Sequence, residues 1–133
     1  MEGKLRHIGL CNVDVAQLAR AQKVAKIVSV QNRYNVSDRS SEPVLKACEQ
    51  SGLAFIPWFP VGAGGALTKP GGKLDCIAQK HEATIAQIAI AWLLQHSAVM
   101  LPIPSSSTVK HLEEDEGAAK LHLSVEKMQS LSV

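Results

Sequence analysis

Aromatic side chains are scarce in this chain of 133 residues: two Phe, two Trp and one Tyr make up 4% of it. Any core must therefore be built from aliphatic groups, and the 46% hydrophobic content with 20% charged residues is that of an ordinary globular domain, not a disordered segment. Cysteine is sparse and unpatterned. Cys11, Cys48 and Cys76 are odd in number and show no CxxC spacing, which argues against a disulfide framework or a zinc site and for a reducing compartment. Charge of neither sign dominates. Fourteen Lys and Arg against twelve Asp and Glu leave +2, too weak and too scattered for the phosphate-neutralising stripe of a nucleic-acid binder. No apolar run approaches the roughly 18 residues of a membrane span, and MEGKLRHIGL lacks the apolar segment of a signal peptide. The chain is expected to be cytoplasmic, with neither nucleic acid nor membrane as a partner.

Four short apolar runs are present instead: His7 to Cys11, Ile27 to Gln31, Leu53 to Trp58 and Val99 to Ile103. Between them lie amphipathic stretches with helix-start chemistry, the signature of a parallel sheet built from βα units. Asp14 with Gln17 three residues later forms a capping box before an apolar stripe of Val15, Leu18 and Ala19, predicting a helix that ends near Ala25. Ser41 is the expected N-cap of a second helix, with Pro43 in its first turn and Gly52 as its stop. The glycine-rich loop at 60–72, PVGAGGALTKPGG, reads as a flexible linker or a ligand cover. Helices follow at Lys73 to His81 and Ile85 to His96, the second introduced by Thr84 and Gln87 in another capping box. SSST at 105–108 leads into a helix from Val109 to about Ala119, and Ser124 caps a last one ending near Leu131. One domain spanning 1–133 results, an α/β fold with four parallel strands and outer helices.

Four segments in order carry a family resemblance. GKLRHIGLCN, VSVQNRYN, FIPWFPVGAG and TIAQIAIAWLLQHSAVMLPIPSSS resemble the fifth to eighth strands of an aldo-keto reductase, with the loop after the seventh and the helix before the eighth. The resemblance covers nearly the whole chain and implies the C-terminal half of a (β/α)8 TIM barrel. A complete barrel takes about 250 residues. In the family the fifth strand ends in a Ser-Asn pair and the sixth in a Gln whose side chains meet the nicotinamide carboxamide. Those positions are Cys11, Asn12 and Gln31 here, and a thiol replaces a hydroxyl poorly. Trp58 aligns with the aromatic residue that stacks on the nicotinamide ring, and Val61 with Gly62 align with the loop near the pyrophosphate. Ser105, Ser106, His111, Glu114 and Asp115 stand where the family binds the adenosine end, and backbone N–H groups at that helix start could hold a phosphate without lysine.

Each of these residues also has a simpler reading. Cys11 can be a small buried hydrophobe, Asn12 a turn residue, Gln31 a polar strand end satisfied by backbone, and Trp58 core filling or a face buried against a partner. Glu113 to Glu116 can be a solvated helix face. His7, His81, His96 and His122 lack metal-ligand spacing and are expected on surfaces or at helix ends. The single tyrosine, Tyr34, does not match the family's catalytic position.

The resemblance places the family's catalytic Asp, Tyr, Lys and His on its first four strands, which this chain does not match. The expectation is a half-barrel that retains part of an NADP(H) site, has no catalytic residues and is inactive alone. Two alternatives stand beside it: a subunit of an NADPH-dependent aldehyde or ketone reductase completed by a separate N-terminal half, and a scaffold or assembly fragment without cofactor. Unpaired strand edges and an uncovered sheet face point to a homodimer that closes an eight-stranded barrel, or to a complementary half as partner.

Overall fold

The computed structural model describes residues 3–62 and 69–131. Three parallel strands, β1 (Ile8–Cys11), β2 (Ile27–Arg33) and β3 (Ala54–Trp58), form a sheet in the order β1-β2-β3. Helices α1 (Val15–Gln22) and α2 (Glu42–Ser51) make the crossovers, and α3 (Lys73–Lys80), α4 (Ile85–His96), α5 (Val109–Gly117) and α6 (Val125–Ser130) follow.

The capping chemistry accounts for where these helices begin. Asp14 accepts from the Gln17 backbone at 2.7 Å while the Gln17 amide accepts from the Asp14 N–H at 2.9 Å, so two otherwise unpaired N–H groups of α1 are met. Thr84 and Gln87 repeat the arrangement at 3.1 and 2.9 Å on α4. Ser124 caps α6. Helix α1 stops at Gln22, short of Ala25, because the Lys23 N–H turns back to Arg20 and Ala21 and the chain swings toward Ile27. At α2 the Ser41 side chain makes no cap bond, since its ψ of 8° lies outside the extended capping conformation. Gly52 ends α2 in the left-handed region at φ 63°, where a side chain would be strained. Helix α5 gives way at Ala118–Lys120 to a 3-10 turn, earlier than the expected Ala119.

The fourth apolar run is not a strand. Val99 to Leu101 lies parallel beside β3 and exchanges two bonds with Phe55, each 2.8 Å, but the ladder stops at the single Phe55–Met100 bridge. Pro57 is the physical reason. Its nitrogen takes the next donor position toward this run and has no hydrogen to give, while Pro102 and Pro104 interrupt the run itself. Three strands and an appended segment thus stand where four strands were expected.

The two faces of the sheet differ sharply. Val30, Phe55 and Met100 point toward the helices and are buried with Leu45, Trp92 and Leu93 in one aliphatic core. Each such side chain contributes about 1.5–3 kcal/mol through burial. The opposite face carries the register row Cys11, Gln31 and Ile56, beside Leu101 and Ile103 on the appended segment. Among the described residues no helix covers it: Leu101 is 56% and Ile103 44% exposed. Among the described residues no helix is long and apolar enough to cross a membrane.

Candidate cofactor site

The carboxyl ends of the three strands meet at one rim. After β1, Asn12 takes a left-handed conformation (φ 53°) while its N–H bonds the Gln31 carbonyl at 2.9 Å. That turn swings the Asn12 side chain over to β3, where its Oδ1 accepts the Trp58 indole N–H at 2.9 Å. Among the described residues the Asn12 amide nitrogen, a donor, has no acceptor. Gln31 is half-buried beside Cys11 in the register, and among the described residues neither end of its amide has a hydrogen-bond partner. A half-buried amide with both ends uncommitted suits a ligand that offers a donor and an acceptor. Cys11 is exposed on the uncovered face, not buried as a small hydrophobe. Trp58 is half-buried and bonded at the rim, so it is not core filling.

Two asparagines that the sequence reading did not single out hold this rim in shape. Asn32 is 5% exposed, and its amide accepts from the Val13 N–H at 3.1 Å and donates to the Val13 carbonyl at 2.8 Å and to Ser41 at 3.3 Å. It pins the exit of β1. Asn35, 2% exposed, accepts the N–H groups of Ser37 and Asp38 at 2.9 Å each and donates to the Phe59 carbonyl at 3.1 Å. It holds Phe59 in its left-handed conformation, φ 63°. The string Asn35-Val-Ser-Asp is the sequence signal of such an Asx turn.

From Phe59 a cleft of about 510 Å³ runs along Pro60, Val61 and Gly62 to a far wall of Ser105, His111, Glu114 and Asp115. Gly62 sits at φ 71°, which a side chain would resist. Residues 63–68 of the glycine-rich loop lie outside the described residues. Thr108 caps α5 through the His111 N–H at 3.2 Å. Ser106 does not line the cleft. Its hydroxyl donates to Asp115, and Thr84, Ser105 and His111 line the space beside the two carboxylates. Of the expected cofactor residues, Val61, Gly62, Ser105, His111, Glu114 and Asp115 share the cleft, Asn12 and Trp58 are bonded to each other, and Cys11 and Gln31 sit side by side. Ser106 alone is directed elsewhere.

The Tyr34 backbone N–H bonds the Trp58 carbonyl at 3.3 Å, but the tyrosine side chain points away from this rim and is fully buried against Phe55 and Trp92. Its hydroxyl donates to Glu42 and lies 2.9 Å from His96 Nε2. With the phenol proton on Glu42, His96 must carry its proton on Nε2 to complete the bond. His96 is thus part of a buried network and is not simply a helix-end cation. Among the described residues no cluster of His, Cys, Asp and Glu could hold a metal.

An open parallel α/β sheet with a cleft at its strand carboxyl ends is the place where such folds bind ligands. The chain belongs to the Aldo/keto reductase family, whose sequence profile matches residues 1–132. It is 48% identical over 130 residues to an uncharacterized oxidoreductase of Schizosaccharomyces pombe, covering 98% of this chain and 42% of that protein. It is 43% identical to pyridoxine 4-dehydrogenase of Escherichia coli, with 98% and 45% covered. Among solved structures, the aldo/keto reductase of Klebsiella pneumoniae in complex with NADP and acetate superposes with a TM-score of 0.88 at 25% identity, covering 98% of this chain and 48% of that one. A thermostable aldo-keto reductase bound to the inhibitor epalrestat gives a TM-score of 0.86 at 34% identity, with 95% and 47% covered. The chain spans about half the length of the proteins it matches.

Proposed function

We propose that this chain is the C-terminal half of a (β/α)8 barrel that binds NADP(H) at the rim and cleft but does not by itself reduce carbonyl compounds. The observation that carries the reading is the uncommitted amide of Gln31, near the half-buried Trp58 whose indole N–H is held by Asn12. Gln31 and Asn12 would meet the nicotinamide carboxamide and Trp58 its ring face, while Val61 and Gly62 allow close approach of the pyrophosphate. Ser105, His111 and Glu114 would face the adenosine end. NADP(H), when bound, supplies the hydride. The residues of this chain bind and orient it; a proton donor would have to come from a group within hydrogen-bond reach of the substrate carbonyl. None of the residues assigned here fills that role, and the Tyr34 side chain is buried away from the rim. Titration with NADPH, followed as quenching of Trp58 fluorescence, should saturate in the wild type and weaken by about tenfold in Gln31→Ala, a loss of the size of one or two ligand hydrogen bonds. Absence of saturable binding would leave the scaffold reading in its place.

The uncovered sheet face favours an assembly. Among the described residues the β1 edge has a neighbour only on its β2 side, and the appended segment carries exposed Leu101 and Ile103. An exposed edge and an apolar face both invite pairing. A two-fold arrangement that sets each β1 beside the partner's appended segment would close the ring as a homodimer. The alternative occupant is a complementary N-terminal half, which would supply the family's catalytic residues and yield an active reductase. Sedimentation should show a dimer at micromolar concentration that Leu101→Lys dissociates. A well-folded monomer that gains carbonyl reduction only when an N-terminal half is added would decide for the alternative.

A further inference from the structure

A cation, Arg33, packs on Phe59 at the edge of the cleft, and the cofactor reading makes no use of it. Arg33 is the last residue of β2, on the same face of the sheet as Gln31 and directly opposite Trp58 in the register. Its guanidinium carbon lies 4.9 Å from the Phe59 ring centre and 5.8 Å from that of Trp58, so two rings support it. Its Nε is 3.0 Å from Asp38 Oδ2. Among the described residues its two Nη groups have no hydrogen-bond acceptor, although the side chain is half exposed.

A bland surface ion pair would explain the Asp38 contact but not the rest. Asp38 is itself fixed from behind. Its Oδ1 accepts from the Ser40 hydroxyl at 2.7 Å and from the Ser40 N–H at 3.2 Å, and its N–H is held by Asn35. The Phe59 ring is fixed by the same Asn35 amide, through the Phe59 carbonyl at 3.1 Å. Both supports of the guanidinium therefore hang on one buried asparagine. Such an arginine is pre-organised: Asp38 takes one edge of the fork, and the Nη1–Nη2 edge stays open for a planar two-oxygen acceptor. Arg33 lies against Phe59, which lines the near end of the cleft.

We propose that Arg33 binds an oxyanion at the rim, a carboxylate on a second ligand that sits beside Trp58, and so selects anionic over neutral compounds. This rests on the reading of the rim as the nicotinamide end, because that is what makes the neighbouring ligand a substrate. The same chemistry would suit a phosphate of the cofactor itself, and the test separates the two sources.

The test uses the whole chain labelled with ¹⁵N at arginine, titrated with benzoate and with neutral benzamide at constant ionic strength. Benzoate should give a saturable shift of the Arg33 Nε–Hε resonance and benzamide none. Arg33→Gln should abolish benzoate binding, read then from tryptophan fluorescence, and Arg33→Lys should weaken it by about tenfold because the fork is lost. NADPH affinity should stay within about twofold in Arg33→Gln, since ion contacts at an unoccupied edge contribute little. A benzamide response equal to that of benzoate, or benzoate binding that survives Arg33→Gln, overturns the proposal. A loss of NADPH affinity of about tenfold or more in Arg33→Gln also overturns it, by assigning the guanidinium to the cofactor's phosphates. Benzoate binding without any NADPH binding would uphold the anion site while removing the cofactor reading beneath it.

Discussion

Replacing Tyr34 by Phe tests the buried network and the exclusion of this tyrosine from chemistry in one variant. The hydroxyl lies in a fully buried side chain, donates to Glu42 and accepts from His96 Nε2–H at 2.9 Å. Burial first, then the hydrogen bond to Glu42, push the phenol well above its usual range, so it is a neutral donor at any physiological pH. The substitution leaves no cavity. Phe keeps the edge contact with Phe55 at 5.7 Å and the stacking on Trp92 at 6.2 Å. What is lost is one bond to a carboxylate and one to an imidazole. Bonds to charged groups contribute about 1.5–3 kcal/mol, with the larger losses where the abandoned partner stays buried and unpaired. Glu42 and His96 are 28% and 21% exposed and still face each other at 3.3 Å, so the loss belongs near the low end, about 2 kcal/mol. Urea unfolding should show a lower midpoint with an unchanged slope. A cycle with Glu42→Gln should return a coupling of about 1 kcal/mol or more, because the two residues share one bond. NADPH binding should not change. A stability loss below about 0.5 kcal/mol would refute the network, and a loss of cofactor affinity would refute the placement of Tyr34 away from the site.

Thr84→Ala should destabilise the chain by about 1 kcal/mol through loss of the α4 cap, measured by thermal unfolding, and Thr84→Ser should restore it. Alkaline pH should weaken the fold through Cys48. Burial, then Glu49, push its thiol up to about 11 from an ordinary value near 9. The folded state therefore holds the proton more tightly than the unfolded chain, so this contribution is complete below pH 9 and is lost as pH rises toward 11. The loss is about 3 kcal/mol over that window. Unfolding measured across it should flatten in Cys48→Ala, and an unchanged pH slope in that variant would contradict the assignment.

Local chemistry made most of the fold legible. Asp14 with Gln17 and Thr84 with Gln87 mark helix starts to the residue because a capping box needs only four consecutive positions. Gly52 marks a stop for the same reason: its left-handed backbone is a property of one residue. The fourth strand was misread because its failure is not written in its own apolar pattern. Pro57, on the neighbouring strand, denies it a donor, and that pairing is visible only once the register is known. The family resemblance pointed to Asn12, Gln31 and Trp58, which the fold brings to one rim. The supports were not legible. Asn32 and Asn35 look like ordinary polar residues at a strand end until their amides are seen to bridge Val13 and Phe59. The bond from Ser106 to Asp115, nine residues on, is likewise invisible in the sequence.

The two tryptophans allow the most direct test of the central claim. Trp58 donates its indole N–H to Asn12 at the rim, whereas Trp92 is fully buried in the core. In an indole ¹H–¹⁵N spectrum of the whole chain titrated with NADPH, the Trp58 signal should shift in a saturable way and the Trp92 signal should stay in place. Equal shifts of both signals, or no shift of Trp58 at saturating cofactor, would contradict cofactor binding at the strand carboxyl ends.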